Sequence, residues 1–208
     1  MKILGLDTTR KKARLFVYDD SCEEKEIHIA LDENIKHSEG VFLYLEKLLN
    51  QARLIIADFD YYSAVVGPGS FTGIRVGMSI AKAFNMCNNK TLIGINTFDL
   101  LKKDVKNGYI LLNCTTSACY YAKVHNKAIV ETGVVEKANI SQLVGDESVY
   151  VLAEEQNLIS LEYNKLVVID NIEQKYVPTI LDMIEQKEYS FEPYYIQLSQ
   201  AERNLKNE

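Results

Sequence analysis

The sequence predicts an α/β protein of two related lobes, each a mixed sheet flanked by helices. Three observations carry that reading. Apolar runs of strand length open the chain and recur along it. A strand, a Gly-Pro-Gly turn, a helix and a further strand follow one another between Tyr61 and Ile95, a β-α-β unit whose two strands must run parallel with a right-handed crossover. The second half then begins as the first does: Ile110, Leu111, Thr115 and Thr116 stand 107 residues after Ile3, Leu4, Thr8 and Thr9.

In chain order, residues 2–6 read as a buried strand that ends at the polar run Asp7 to Lys12. Strands from Ala13 to Tyr18 and from Glu26 to Leu31 complete a meander. Apolar side chains at Val41, Phe42, Leu45, Leu48 and Leu49 recur at helical spacing over 38–51, with Ser38 as the N-cap. The β-α-β unit follows: a strand from Tyr61 to Val66, a helix from about Phe71 to Cys87, and a strand from Thr91 to Ile95. In the second half, Tyr109 to Asn113, Cys119 to Val124 and Ala128 to Val135 repeat the meander. Val149 to Ala153 and Lys165 to Ile169 are the later strands, and Val177, Ile180, Leu181 and Ile184 mark a helix with Pro178 near its start. The lobes are expected to span 1–100 and 101–208, with the last segment packing back toward the first lobe.

Composition narrows the function. With 208 residues, 47% of them hydrophobic, the chain can bury a sizeable core, and its formal net charge of −6 argues against gripping a phosphate backbone by itself. Cys22, Cys87, Cys114 and Cys119 form no C-x-x-C pair, and His28, His37 and His125 are too far apart to share a helix face, so neither a zinc site nor a disulfide framework is indicated. The N-terminal run is too short for a signal peptide or a membrane span. No G-x-S-x-G elbow or cysteine nucleophile signature is present.

Two stretches could carry chemistry. Gly67-Pro68-Gly69-Ser70-Phe71-Thr72-Gly73 turns a buried strand sharply into a helix whose first N–H groups Ser70 or Thr72 can cap. It lacks the Gly-Lys-Ser/Thr ending of a phosphate loop and misses the dinucleotide spacing by one residue, which favours a structural turn. The second stretch is Asp7-Thr8-Thr9. In actin-like and sugar-kinase-like ATPases such a carboxylate meets metal and phosphate, with glycine two residues on; here Thr9 holds that place and Cys114 stands at the repeat of Asp7. A small actin-like ATPase or kinase using Asp7 and the Gly67–Gly73 turn is therefore the alternative reading.

The helix after the turn is apolar on more than one side. Gly73, Gly77 and Ala81 form a stripe of small residues, with Ile74 and Met78 beside it, while the preceding helix carries Val41, Tyr44, Leu45 and Leu48. Those nine residues are the expected partner interface, since a chain this small has little room to bury two helices all round.

The motifs Asp7-Thr8-Thr9, His37-Ser38-Glu39, Val66 to Gly77 and Ile93-Gly94-Ile95-Asn96-Thr97 resemble the TsaB family of tRNA threonylcarbamoyladenosine biosynthesis, as do Pro193-Tyr194-Tyr195 and Ala201-Glu202 near the C-terminus. The resemblance implies an actin-like (ribonuclease H-like) fold, a cytoplasmic location, no cofactor, and a non-catalytic subunit that supports the related protein TsaD, with the ATPase TsaE joining a larger assembly. It implies that the helices at 38–51 and 72–87 pack against the matching pair of TsaD or of a second copy, and that tRNA is met only indirectly. TsaD holds its metal through a His-x-x-x-His motif that this chain lacks. Where the family carries an Asp-Ala-Arg run after the first strand of the second lobe, this chain has Asn113-Cys114-Thr115-Thr116.

Overall fold

A computed structural model describes residues 1–32, 37–159 and 165–196. The chain divides into two compact units, one made of Met1–Asn96 with Glu173–Pro193, the other of Thr97–Ile172 with the chain from Tyr194.

The first unit contains strands β1 (Lys2–Asp7), β2 (Arg14–Asp19), β3 (Glu26–Ala30), β4 (Tyr61–Gly67) and β5 (Thr91–Asn96), and helices α1 (His37–Ala52) and α2 (Phe71–Asn88). Its sheet runs β3-β2-β1-β4-β5, with β1 antiparallel to β2 and parallel to β4. Alternation along β1 divides the faces. Leu4 and Leu6 pair with Tyr62 and Ala64, and this face meets α2 through the contact of Tyr62 with Phe84. Gly5 pairs with Phe16 on the opposite face, where a Cβ at Gly5 would lie 2.0 Å from the Phe16 ring. That position excludes every side chain.

The second unit contains α3 (Thr97–Lys102), β6 (Asn107–Asn113), β7 (Ala118–His125), β8 (Ala128–Glu136), α4 (Ile140–Val144), β9 (Val149–Leu152), α5 (Gln156–Ile159) and β10 (Leu166–Ile169). Its sheet order, β10-β9-β6-β7-β8, repeats that of the first unit, with β6 in the place of β1. Ile3 and Ile110 both lie on the central strands, so the 107-residue offset is a structural repeat. Tyr109, Leu111, Cys119, Ile140, Val144 and Val151 pack into one core. Burial lifts the Cys119 thiol to about 11, so it packs as a small hydrophobe that stays protonated at neutral pH.

All ten strands fall where the sequence places them. The helices α3, α4 and α5 do not appear in the sequence reading, because four to six residues complete fewer than two turns and set up no apolar period. The last helix, α6 (Glu173–Gln186), begins earlier than expected, and Pro178 is its sixth residue. The extra turn carries two attachments to the rest of the first unit. Glu173 accepts a 2.6 Å bond from Arg14 Nε, and the buried Tyr176 ring stacks on Phe16 with centroids 4.9 Å apart. Beyond α6, the Ser190 carbonyl accepts from Gly94 N–H at the edge strand β5. The Ser38 side chain expected as a cap, and Ala201 and Glu202, lie outside the described residues.

The Arg14–Glu173 pair makes an acid-side prediction. Burial pushes the Glu173 carboxyl up, but the bond and charge of Arg14 outweigh it, and the group titrates below its ordinary 4.5. Its contribution is therefore complete above the unfolded value and disappears as pH falls through the folded one. Glu173→Gln is expected to lose about 1 kcal/mol at neutral pH, as for a partly exposed ion pair. Urea titrations at a series of pH values should show the difference from the parent shrinking below 4.5.

Candidate functional site: a closed carboxylate and an open helical groove

The glycine-rich stretch is a joint. Gly67 has φ of 122° and precedes a cis Pro68. Ser70 caps α2, its hydroxyl accepting from Gly73 N–H at 3.2 Å, while Ser70 N–H donates to the Thr9 carbonyl at 2.8 Å. The Thr8 hydroxyl donates to the Gly73 carbonyl at 2.6 Å. Helix and turn thus approach within backbone distance. A Cβ on Gly73 would lie 1.9 Å from the Thr8 carbonyl oxygen, one on Gly77 2.7 Å from the Thr8 hydroxyl, and one on Gly69 2.7 Å from Thr9 Cβ.

Asp7 ends β1 at this joint, with no solvent exposure. One carboxylate oxygen accepts the Thr9 N–H at 2.9 Å and the Thr9 hydroxyl at 2.6 Å. The other accepts the Tyr176 hydroxyl at 2.6 Å and lies 3.8 Å from Arg10 Nε. Burial, and after it the Asp7 charge, holds the Tyr176 hydroxyl well above its usual range, so it stays a donor. Four groups of the same unit surround a carboxylate that a nucleotide site would leave open to metal. Among the described residues, no three His, Cys, Asp or Glu side chains cluster as metal ligands.

The nine residues expected at a partner interface lie on α1 and α2. Val41, Leu45, Leu48, Gly73, Ile74, Gly77, Met78 and Ala81 are buried within the unit, and only Tyr44 is half-exposed. Gly73 and Gly77 of the small-residue stripe face the Thr8 turn, with Ala64 beside Gly77, because a missing Cβ serves close approach to a strand end as well as to a helix. A charged side chain at Ala81 would therefore unfold the unit before it tested any interface.

The surface α1 and α2 leave open is the neighbouring one. Phe42 is 57% exposed, and a largely apolar hollow of about 510 Å³ lies between the helices, lined by Val41, Phe42, Phe71, Thr72, Arg75, Val76, Ser79 and Ile80. On the other side of Phe42 a second hollow, about 370 Å³, is lined by Leu45, Glu46, Leu49, Leu54, Ile55 and Ile56. Val41 and Leu45 thus contribute to the floors of these hollows while facing mainly inward. A sequence signal for the outward face exists: Thr72, Arg75, Ser79 and Lys82 are polar at spacings of three and four, which marks the solvent side of α2.

Residues 33–112 match the family model of TsaD, tRNA N6-adenosine threonylcarbamoyltransferase. The TsaB protein of Buchnera aphidicola subsp. Schizaphis graminum is 26% identical over 140 residues, 63% of this chain and 64% of that one. Its counterpart from Buchnera aphidicola subsp. Acyrthosiphon pisum is 23% identical over 177 residues, 75% of this chain and 79% of that one. The chain thus spans a little under two thirds of the first relative's length. YeaZ from Pseudomonas aeruginosa superposes with a TM-score of 0.68 at 10% identity, covering 93% of this chain and 100% of that one. At that identity the likeness is one of fold, and the two repeated sheets with flanking helices are the actin-like fold expected. In fold the chain is similar to YeaZ, and in sequence it is similar to the TsaB proteins of tRNA threonylcarbamoyladenosine biosynthesis.

Proposed function

We propose that the chain is a non-catalytic subunit of tRNA threonylcarbamoyladenosine biosynthesis that docks the threonylcarbamoyltransferase TsaD through the outer surfaces of α1 and α2. The observation that carries this reading is the open apolar groove between those helices, bordered by the exposed Phe42 and by Phe71. Aromatic side chains beside a hollow are the usual anchors of a protein interface. The same segment of the chain falls within the stretch that matches the TsaD family model, so the two proteins would present matching helix pairs. A small ATPase, TsaE, joins that pair, and a second copy of this chain takes the same surface when TsaD is absent. tRNA is then held by the assembly, consistent with a net charge of −6 on this subunit. The work is done in the cytoplasm; among the described residues no helix is long and apolar enough to cross a membrane.

The closed state of Asp7 supports the non-catalytic part of the reading, since its lone pairs are already committed to Thr9 and Tyr176. The test is binding to the TsaD of the same genome. Val76→Arg places a charge in the groove on a side chain that is not buried, and is expected to weaken the complex about 100-fold or more while leaving the melting temperature unchanged. Calorimetry and size-exclusion chromatography would read it. Full-strength binding by a folded Val76→Arg protein would remove the groove from the interface, and ATP turnover by the purified chain would restore the enzyme reading.

A further inference from the structure

The Asp7 carboxylate is bound from two directions. From α6 it accepts the Tyr176 hydroxyl at 2.6 Å. From its own turn it accepts the Thr9 N–H at 2.9 Å and the Thr9 hydroxyl at 2.6 Å. The Thr9 carbonyl then accepts the Ser70 N–H at 2.8 Å. Ser70 in turn accepts the Ile74 N–H on its carbonyl, at 2.8 Å, and the Gly73 N–H on its hydroxyl, at 3.2 Å. An unbroken series of hydrogen bonds thus runs from α6 through Asp7 and Thr9 to the residue that launches α2. The next two residues, Phe71 and Thr72, line the first hollow, which α1 borders with Val41 and Phe42.

We infer that Tyr176 is a positioning residue for the docking surface: through Asp7 and Thr9 its hydroxyl holds Ser70, and with it the Phe71 side of the hollow, in the arrangement a partner binds. This role rests on the docking surface proposed above and adds how that surface is kept in shape from the opposite face of the sheet, where Tyr176 stacks on Phe16. Three features support it. Asp7, Thr9 and Tyr176 are at most 3% exposed, so water supplies no substitute partner when one of their bonds is lost. Thr9 has no slack against the turn, since a Cβ on Gly69 would lie 2.8 Å from the Thr9 carbonyl oxygen; a Thr9 that swings must carry the turn with it. The Tyr176 ring is held by its stack on Phe16 as well as by its hydroxyl, so phenylalanine in its place removes the bond and keeps the ring. A groove whose side is fixed before docking loses less conformational freedom on binding, and its affinity is correspondingly higher.

The experiment measures Kd by calorimetry for the full chain with the TsaD protein of the same genome, and amide hydrogen exchange of the full chain alone. Tyr176→Phe is expected to weaken binding about tenfold and to speed exchange at the Ser70 and Gly73 amides about tenfold. Ile180→Val trims a buried side chain of the same helix that has no part in these bonds, and should bind within about twofold of the parent. In a Phe71→Leu background, Tyr176→Phe should add less than about twofold, since both changes act on one side of the hollow. Thermal melts check that each variant is folded at the measuring temperature. If Val76→Arg abolishes binding while Tyr176→Phe binds within about twofold of the parent, the surface is used but Tyr176 does not shape it, and the inference falls. Equal weakening by Tyr176→Phe and Ile180→Val would also overturn it, because any loss of stability would then serve. So would a loss that persists undiminished in the Phe71→Leu background, which would route the effect elsewhere. Full-strength binding by Val76→Arg would defeat the docking surface itself. Faster exchange at Ser70 and Gly73 in Tyr176→Phe would then locate the failure in the surface alone, and unchanged exchange would extend it to the hydrogen-bonded series.

Discussion

Gly73→Ala is expected to lower stability by about 3 kcal/mol or more and the melting temperature by about 10 °C. On helix propensity alone the change should stabilise, by about 1 kcal/mol, because alanine is the better helix former. The opposite sign is predicted because the added methyl would lie 1.9 Å from the Thr8 carbonyl oxygen and 2.8 Å from its carbon. Both are backbone atoms at the end of the central strand, and the same carbonyl turn is tied to α2 by the bonds Thr8 to Gly73 and Ser70 to Thr9. Relief requires α2 to withdraw from the sheet along the very residues that make those bonds. Gly77→Ala provides the comparison. Its methyl would meet the Thr8 hydroxyl at 2.7 Å, a side-chain atom that can rotate at the loss of one hydrogen bond, so about 1 kcal/mol is expected. Chemical denaturation of the two variants should rank Gly73→Ala well below Gly77→Ala. Equal effects would mean that α2 shifts freely, and the joint would lose its status as the rigid element of the unit.

Asp7→Ala should have an effect of similar size by a different route. The carboxylate is enclosed, and its removal leaves the Thr9 N–H, the Thr9 hydroxyl, the Tyr176 hydroxyl and the Arg10 guanidinium facing a void. Deleting one partner of a buried charged network costs about 3 to 5 kcal/mol, chiefly because the remaining groups are desolvated without compensation. Tyr176→Phe removes one donor from the same network and is expected to cost about 2 kcal/mol. The double variant should lose less than the sum, since the two share one interaction. Additive losses would show that the Tyr176 hydroxyl contributes independently of Asp7, and no loss in Tyr176→Phe would leave only its ring stack on Phe16. A catalytic Asp7 predicts the contrary pattern, lost turnover in a protein of undiminished stability, so the same variants discriminate the two readings.

The sheets were legible because most strands are short apolar or alternating runs closed by polar or glycine residues, and because the β-α-β unit dictates parallel neighbours. The cap at Ser70 was legible for a similar reason: a hydroxyl three residues ahead of Gly73, just after a rigid turn, has an N–H to receive. The rotation of α2 about its own axis was not. Gly73, Gly77 and Ala81 announce that something comes close, but a strand end and a second helix demand the same missing Cβ, and the contact with Thr8 is 65 residues away in sequence. Nor could spacing announce that Tyr176 would close over Asp7 from 169 residues away. Such long-range pairings depend on which surface of the sheet each helix covers, a choice made by the packing of the whole unit.

The repeat is faithful in its strands and unequal in its helices. After its meander the first unit carries the 16-residue α1, whereas after the corresponding meander the second carries the five-residue α4, stopped by Gly145. A single turn cannot flank a trough, so among the described residues the groove between two helices occurs in the first unit alone. A chain that docks as proposed above would therefore offer that contact once, and an assembly built on it would close as a pair instead of growing into a filament.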